Sequence, residues 1–185
     1  MLDSFRRSLG MRIAGFRFRK EHEKVISFTH LLPSSGTVLV ILPFAPEASA
    51  EHAGLLSLFH AHFSPENLTV LSNAPRGSIE RIVPRSRVIT IVPEDVTMFF
   101  LPRQVVMDRI HARHYDVAVD LNLDFMLPSA YICRESNARV RVGRSGPHAD
   151  TFYNLQVRLD PTAQRGDTYR RLVQCLQMFF AEEGV

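Results

Sequence analysis

The stretch "HYDVAVDLNLDF", residues 114–125, sets Val117, Val119, Leu121 and Leu123 against Asp116, Asp120, Asn122 and Asp124. Alternation with a period of two marks a β-strand. A strand that passes from an apolar run into polar alternation is leaving a sheet at its carboxyl end. Asp120 then lies near that end, and Asp124 is placed to cap a helix beginning near Phe125. A second reading gives Asp120 or Asp124 a ligand contact or acid–base work. A third is metal, because D-x-N-x-D opens an EF-hand calcium loop. That loop needs Gly at its sixth position and Glu at its twelfth; here those are Phe125 and Tyr131, and the calcium reading fails.

Outward from this strand the same signals recur. "TVLVIL" (37–42), "LTVLSN" (68–73), "RVITIV" (87–92) and "RVRVG" (139–143) are short β-branched runs, and "FYNLQVRL" (152–159) reads as a further short strand. Helix-length patterns occupy 48–62, 102–114 and 125–136. Residues 74–86 form a turn with a short helix, as Pro75, Gly77 and Pro84 imply. In 167–183, Tyr169, Leu172, Val173, Leu176, Phe179 and Phe180 share one helix face behind Asp167 as N-cap. Strands alternating with crossovers of this length predict a Rossmann-like α/β domain. Its mostly parallel sheet has five to six strands and helices on both faces.

The chain has 185 residues, 45% hydrophobic and 22% charged, which suits one domain with an ordinary core. Cys133 and Cys175 lack a C-x-x-C spacing and read as buried small hydrophobes rather than a redox pair. A reducing, cytoplasmic setting follows. The basic N-terminus has no signal-peptide core, and "VLVILPFA" (38–45) is far too short to span a bilayer.

Charge is uneven. Residues 1–24 hold seven Arg or Lys against Asp3, Glu21 and Glu23, a local +4 in a chain of net +3. Within them Leu2, Phe5, Leu9, Ile13 and Phe16 fall in an arc of about 80° on a helical wheel, with Arg6, Arg12, Arg17 and Arg19 beside it. Residues 1–30 therefore read as a basic amphipathic helical segment before a domain over 31–185. The favoured reading docks the apolar stripe on the domain. Peripheral membrane contact through residues 1–24 is the alternative. Nucleic acid ranks last, since no aromatic-interleaved basic patch accompanies the charge.

Ligands of open α/β sheets bind outside the carboxyl ends of the strands. That selects "PFAPEA" (43–48), "NAPRG" (73–77), "PEDVT" (93–97), "NLDF" (122–125) and "RSGPH" (144–148). The first carries prolines where a dinucleotide fingerprint carries glycines, and no Walker A lysine loop occurs, so no nucleotide cofactor is expected. Glu47, Asp120 and Asp124 are the weak catalytic candidates. Arg76, Asn122, Arg144 and His148 are the ligand-binding ones, with Arg144 and His148 beside Gly143 and Gly146 as an anion-binding loop. The pairs His60/His62 and His111/His114 lack a third ligand and read as solvated surface; no metal site is expected.

The strand "VLVIL" and the run "YDVAVDLNLDFMLPSAYICRESNARVRVGRSG" resemble the N-terminal half of the family-9 glycosyltransferases, the lipopolysaccharide heptosyltransferases. "LPSAYI", "NARVRVG" and "FYNL" are also similar to a bacterial family of short single-domain proteins with no assigned activity. The first resemblance implies half of a GT-B architecture, in which a second domain binds most of the sugar nucleotide. Its members carry a Gly-Asp pair after the first strand, whose aspartate is the general base. Here that region reads "PFAPEA", with Glu47 the nearby carboxylate, and no catalytic residue carries over. The expectation is a non-catalytic binding or interaction protein linked to cell-envelope glycan synthesis, with a protein partner or a second copy. The alternative is a glycosyltransferase whose partner supplies the nucleotide domain, with a sugar nucleotide or sugar phosphate as ligand.

Overall fold

The computed structural model describes residues 2–19, 36–44, 52–158 and 165–180. Glu47, Lys20, Lys24 and the rest of the expected 1–30 segment beyond residue 19 lie outside the described residues. The elements in chain order are α1 (Leu2–Phe18), β1 (Val38–Ile41), α2 (His52–His62), β2 (Leu68–Ser72) and α3 (Arg76–Ile82). Then follow β3 (Arg87–Thr90), α4 (Gln104–His111), β4 (Val117–Asp120) and α5 (Leu127–Glu135). The described chain closes with β5 (Val140–Arg144), α6 (Ala149–Phe152), β6 (Leu155–Val157) and α7 (Arg165–Phe180).

The six strands form one sheet in the order β3-β2-β1-β4-β5-β6, and every pairing is parallel. β1 is fully buried because both its faces are covered, as a central parallel strand requires. Val38 and Val40 join the cluster formed with α2, α3 and α7. Leu39 and Ile41 join the one formed with α1, α4, α5 and α6. β4 divides the same way: Val117 and Val119 face the first layer, Ala118 the second. At the amino end the Thr37 amide donates to Asp116 Oδ2 at 2.8 Å, and the Thr37 hydroxyl donates to the same oxygen at 3.0 Å. Burial alone would raise the Asp116 pKa. The two Thr37 bonds, with His114 and Arg139 nearby, outweigh it and hold that carboxyl below 3.8.

Two helix starts differ from the sequence reading. α5 begins at Leu127 with Met126 as N-cap and no side-chain cap bond, so Asp124 does not cap it. Pro128 in the first turn explains the shift, since its fixed φ favours a helix start there. α7 begins at Arg165, which puts Asp167 in the first turn rather than at the cap. There its charge still complements the helix dipole. Both cysteines are free, Cys133 buried and Cys175 half-buried.

α1 docks on the domain, but by a different face from the one its sequence suggests. Gly10, Ala14 and Phe18 are buried, one turn apart. Phe18 meets Tyr131 at 5.3 Å and Phe152 at 6.0 Å between ring centroids. Arg17 forms a two-pronged ion pair with the buried Glu135, Nη2 to Oε2 at 3.1 Å. His111, expected as solvated surface, packs on the same junction with Nε2 2.8 Å from the Glu135 carbonyl. Small residues win the contact because they let the helix approach: a Cβ on Gly10 would run into the Phe99 carbonyl and touch Leu127 at 3.0 Å.

Gly15 has open space where Gly10 has none. Gly15→Ala should therefore stabilise the chain by up to about 1 kcal/mol through helix propensity. Gly10→Ala, despite the same propensity gain, should cost about 1–3 kcal/mol from overpacking. Urea denaturation of the two variants reads opposite signs if α1 docks as described.

Candidate functional site at the carboxyl edge of the sheet

The strand order reverses direction between β1 and β4, and the crevice outside their carboxyl ends is where an open α/β sheet binds ligands. Here that crevice is bridged by side chains. The Asn122 amide oxygen accepts from Phe44 N at 2.9 Å, and its nitrogen donates to Asp120 Oδ1 at 2.8 Å. The Asn122 backbone amide donates to the same Oδ1 at 3.0 Å. From the other side, Asn73 Nδ2 donates to the Phe44 carbonyl at 2.9 Å. The backbone at Phe44 is thus held by one asparagine after β2 and another after β4.

Asp120 is only 4% exposed. Its second oxygen accepts from the Tyr153 hydroxyl at 2.7 Å. Ser129 also lies beside the carboxylate, but its single hydroxyl proton goes to the Met126 carbonyl at 2.9 Å. Burial pushes the Asp120 pKa above 3.8, against the hydrogen bonds from Asn122 and Tyr153. The same burial, with the Asp120 charge beside it, drives the Tyr153 hydroxyl far above the usual phenol range. The Tyr153 ring lies flat against β5, where a Cβ on Gly143 would sit 2.5 Å from it.

Two depressions flank this network. The smaller, about 110 Å³, lies between the loops after β4 and β5 and is lined by Asn122, Asp124, Phe125, Arg144 and neighbours. Asp124 is exposed there, 3.9 Å from the Arg144 guanidinium, which also donates to the Leu123 carbonyl. The larger, about 550 Å³, opens over the ends of β1, β2 and β3. Its walls are Phe44, Ile91, Val96, Phe100, Met126 and Pro128, with Asn73 and Thr97 as polar positions among others. Phe100 reaches it from a left-handed backbone conformation, φ 61°, at the tip of a turn closed by Thr97 N donating to Leu101 O at 2.8 Å. A bulky side chain in that conformation is strained and is kept only where its surroundings demand it. Arg7 of α1 covers the Phe100 ring at 5.3 Å.

The structure distributes the sequence candidates unevenly. Asn122, Asp124 and Arg144 gather at the smaller depression. Asp120 sits beneath it, engaged by Asn122 and Tyr153. His148 starts α6 in a left-handed conformation, φ 73°, with its ring 6.1 Å from Phe125. Arg76 is exposed on α3, pairs with Glu80 at 2.6 Å and lines neither depression. Asn73, Phe100 and Tyr153 were not singled out in the sequence. Asn73 lies within a carboxyl-end stretch that was, "NAPRG". Among the described residues no three His, Cys, Asp or Glu side chains come together as a metal would need. No described helix is long and apolar enough to cross a membrane.

A parallel sheet with this strand order, covered on both faces, defines a Rossmann-like α/β domain. Among solved structures the chain is similar to the glycosyl transferase family 9 from Veillonella parvula DSM 2008, with a TM-score of 0.59 at 13% sequence identity. The match covers 89% of this chain and 46% of that one, so the chain spans about half the length of that protein. The likeness is one of fold: half of a family 9 glycosyl transferase. No family model and no curated protein matches the sequence.

Tyr153→Phe removes one donor from a buried carboxylate and should cost about 1–3 kcal/mol in urea denaturation. Asn122→Ala should cost at least as much, because it takes the acceptor from Phe44 N and one donor from Asp120 at once. The pH dependence has a definite sign. With its folded pKa raised above 3.8, Asp120 binds more protons folded than unfolded, so its contribution falls as pH rises from 3.8 through the folded value. The stability of Asp120→Asn relative to wild type should therefore improve across that window.

Proposed function

We propose that the protein is a non-catalytic binding domain built on half of a glycosyltransferase fold, which takes an apolar or amphipathic group in the larger cleft. The observation that carries this reading is the chemistry of the cleft wall. About 550 Å³ of space is lined, among the described residues, without a charged side chain. Glycosyl transfer needs a base within reach of the acceptor hydroxyl and positive charge or oriented dipoles for the leaving phosphate. Asp120 is buried and bonded, and the Asn73 amide is already spent on Phe44. A concave apolar wall with one or two polar positions instead suits a hydrophobic ligand group. Work beside cell-envelope glycan enzymes in a bacterial cytoplasm, with a protein partner or a second copy, completes the proposal.

A second reading keeps the transferase. It is supported by the fold likeness and by Arg144 at the rim of the smaller depression, which suits the phosphate of a sugar nucleotide or sugar phosphate. It requires Glu47 as base and a partner that brings the nucleotide domain.

Thermal unfolding separates the two. Octyl glucoside below its micelle concentration should raise the unfolding temperature, by about 5–10 °C at a hundred times its dissociation constant. Val92→Glu, at an exposed position on the cleft wall, should remove the shift. UDP-glucose and glucose 1-phosphate should leave the temperature unchanged. A shift with UDP-glucose that Arg144→Gln abolishes, and none with octyl glucoside, would overturn the binding-domain reading in favour of the transferase.

A further inference from the structure

We infer that α1 is an anchor for an anionic membrane surface, held to the domain by one face while the other enters the lipid headgroups. Gly10, Ala14 and Phe18 are the buried face. The apolar stripe of the same helix is left outside: Leu2 is 62% exposed, Phe5 67% and Phe16 77%, with Ile13 at 42%. On a helical wheel the two faces are centred about 140° apart. The helix is therefore apolar on two sides, and among the described residues only one of them is packed into the core. Aromatic and aliphatic groups of this size are not left in water by a helix whose docking is satisfied without them, unless something else covers them.

The rim of the stripe says what that is. Arg12 and Arg19 flank one edge and Arg6 the other, with Asp3 as the one acid between residues 2 and 19. Arg6 reaches that acid at 3.5 Å. An apolar stripe between two basic edges matches the interface of a bilayer carrying anionic lipids, where the stripe replaces water with acyl chain and the guanidinium groups meet phosphate. It does not match a second copy of itself, because pairing two stripes brings basic edge against basic edge. Arg7 and Gly10 tie the helix to the turn that carries Phe100, so an anchored α1 would hold the larger cleft beside the membrane surface.

Removing the helix outright would also remove Ala14 and Phe18 from the core, so substitutions on the exposed face make the cleaner test. The full chain is sedimented with vesicles of phosphatidylcholine alone and of phosphatidylcholine with phosphatidylglycerol. It should pellet with the anionic vesicles, stay in solution with the neutral ones, and be released by salt. The double variant Phe5→Glu/Phe16→Glu should lose binding on the order of tenfold or more, and Arg12→Gln/Arg19→Gln should weaken it, each with an unfolding temperature near that of wild type. Wild type left in the supernatant by anionic vesicles overturns the inference, as does equal binding to neutral ones. So does a wild-type dimer that Phe5→Glu/Phe16→Glu dissociates without any vesicle binding, which would assign the stripe to a second copy.

Discussion

The carboxyl edge of this sheet depends on one buried carboxylate. Asp120 ends β4 where the strand order reverses, and it accepts from the Asn122 amide, the Asn122 side chain and the Tyr153 hydroxyl. Through Asn122 the same network reaches across the crevice to Phe44 after β1. A buried carboxylate is costly to desolvate, and the cost is contained only while every donor stays in place. The segments after β1 and β4 and the Tyr153 ring are thus mutually constrained: to move one is to break a bond in the network around a charge that water cannot reach.

That constraint decides what the site can do. In many open α/β sheets the switch-point crevice exposes backbone amides to a phosphate. Here Pro43 has no amide proton and the Phe44 amide is taken by Asn122. The usable space is displaced toward β2 and β3, onto an apolar wall closed by the strained Phe100 turn. Behind that turn stands α1, fastened by Arg17 to Glu135 and by Arg7 over Phe100. Cleft, turn and N-terminal helix thus adjoin one another.

Much of the sheet was legible in the sequence because burial on both faces leaves a plain mark. "TVLVIL", "LTVLSN", "RVITIV" and "VAVDL" are β-branched and bounded by turn residues, and each contains its strand within two residues. The five carboxyl-end stretches were legible too, and all five contribute to the two depressions. What the sequence hid was contact between distant residues. Nothing in local pattern joins Asp120 to Tyr153, 33 positions on, or shows that Asn73 and Asn122 share one backbone. The docking face of α1 escapes local pattern for a related reason. Periodicity weighs large apolar residues, whereas close docking rewards small ones, so Gly10 and Ala14 lay below the signal that Leu2, Phe5 and Phe16 made.

The Asp120 carboxyl is an internal strut in this fold, buried and held by Asn122 and Tyr153. Carbon-13 NMR titration of the side-chain carboxyls, with Asp120→Asn to assign the signal, tests it directly. The strut predicts a resonance that titrates above 3.8, moves further up in Tyr153→Phe, and does not respond to any ligand that fills the cleft. A carboxyl whose titration is unmoved by Tyr153→Phe, or whose signal shifts when the cleft is filled, would mean that Asp120 is open to the site rather than held within it.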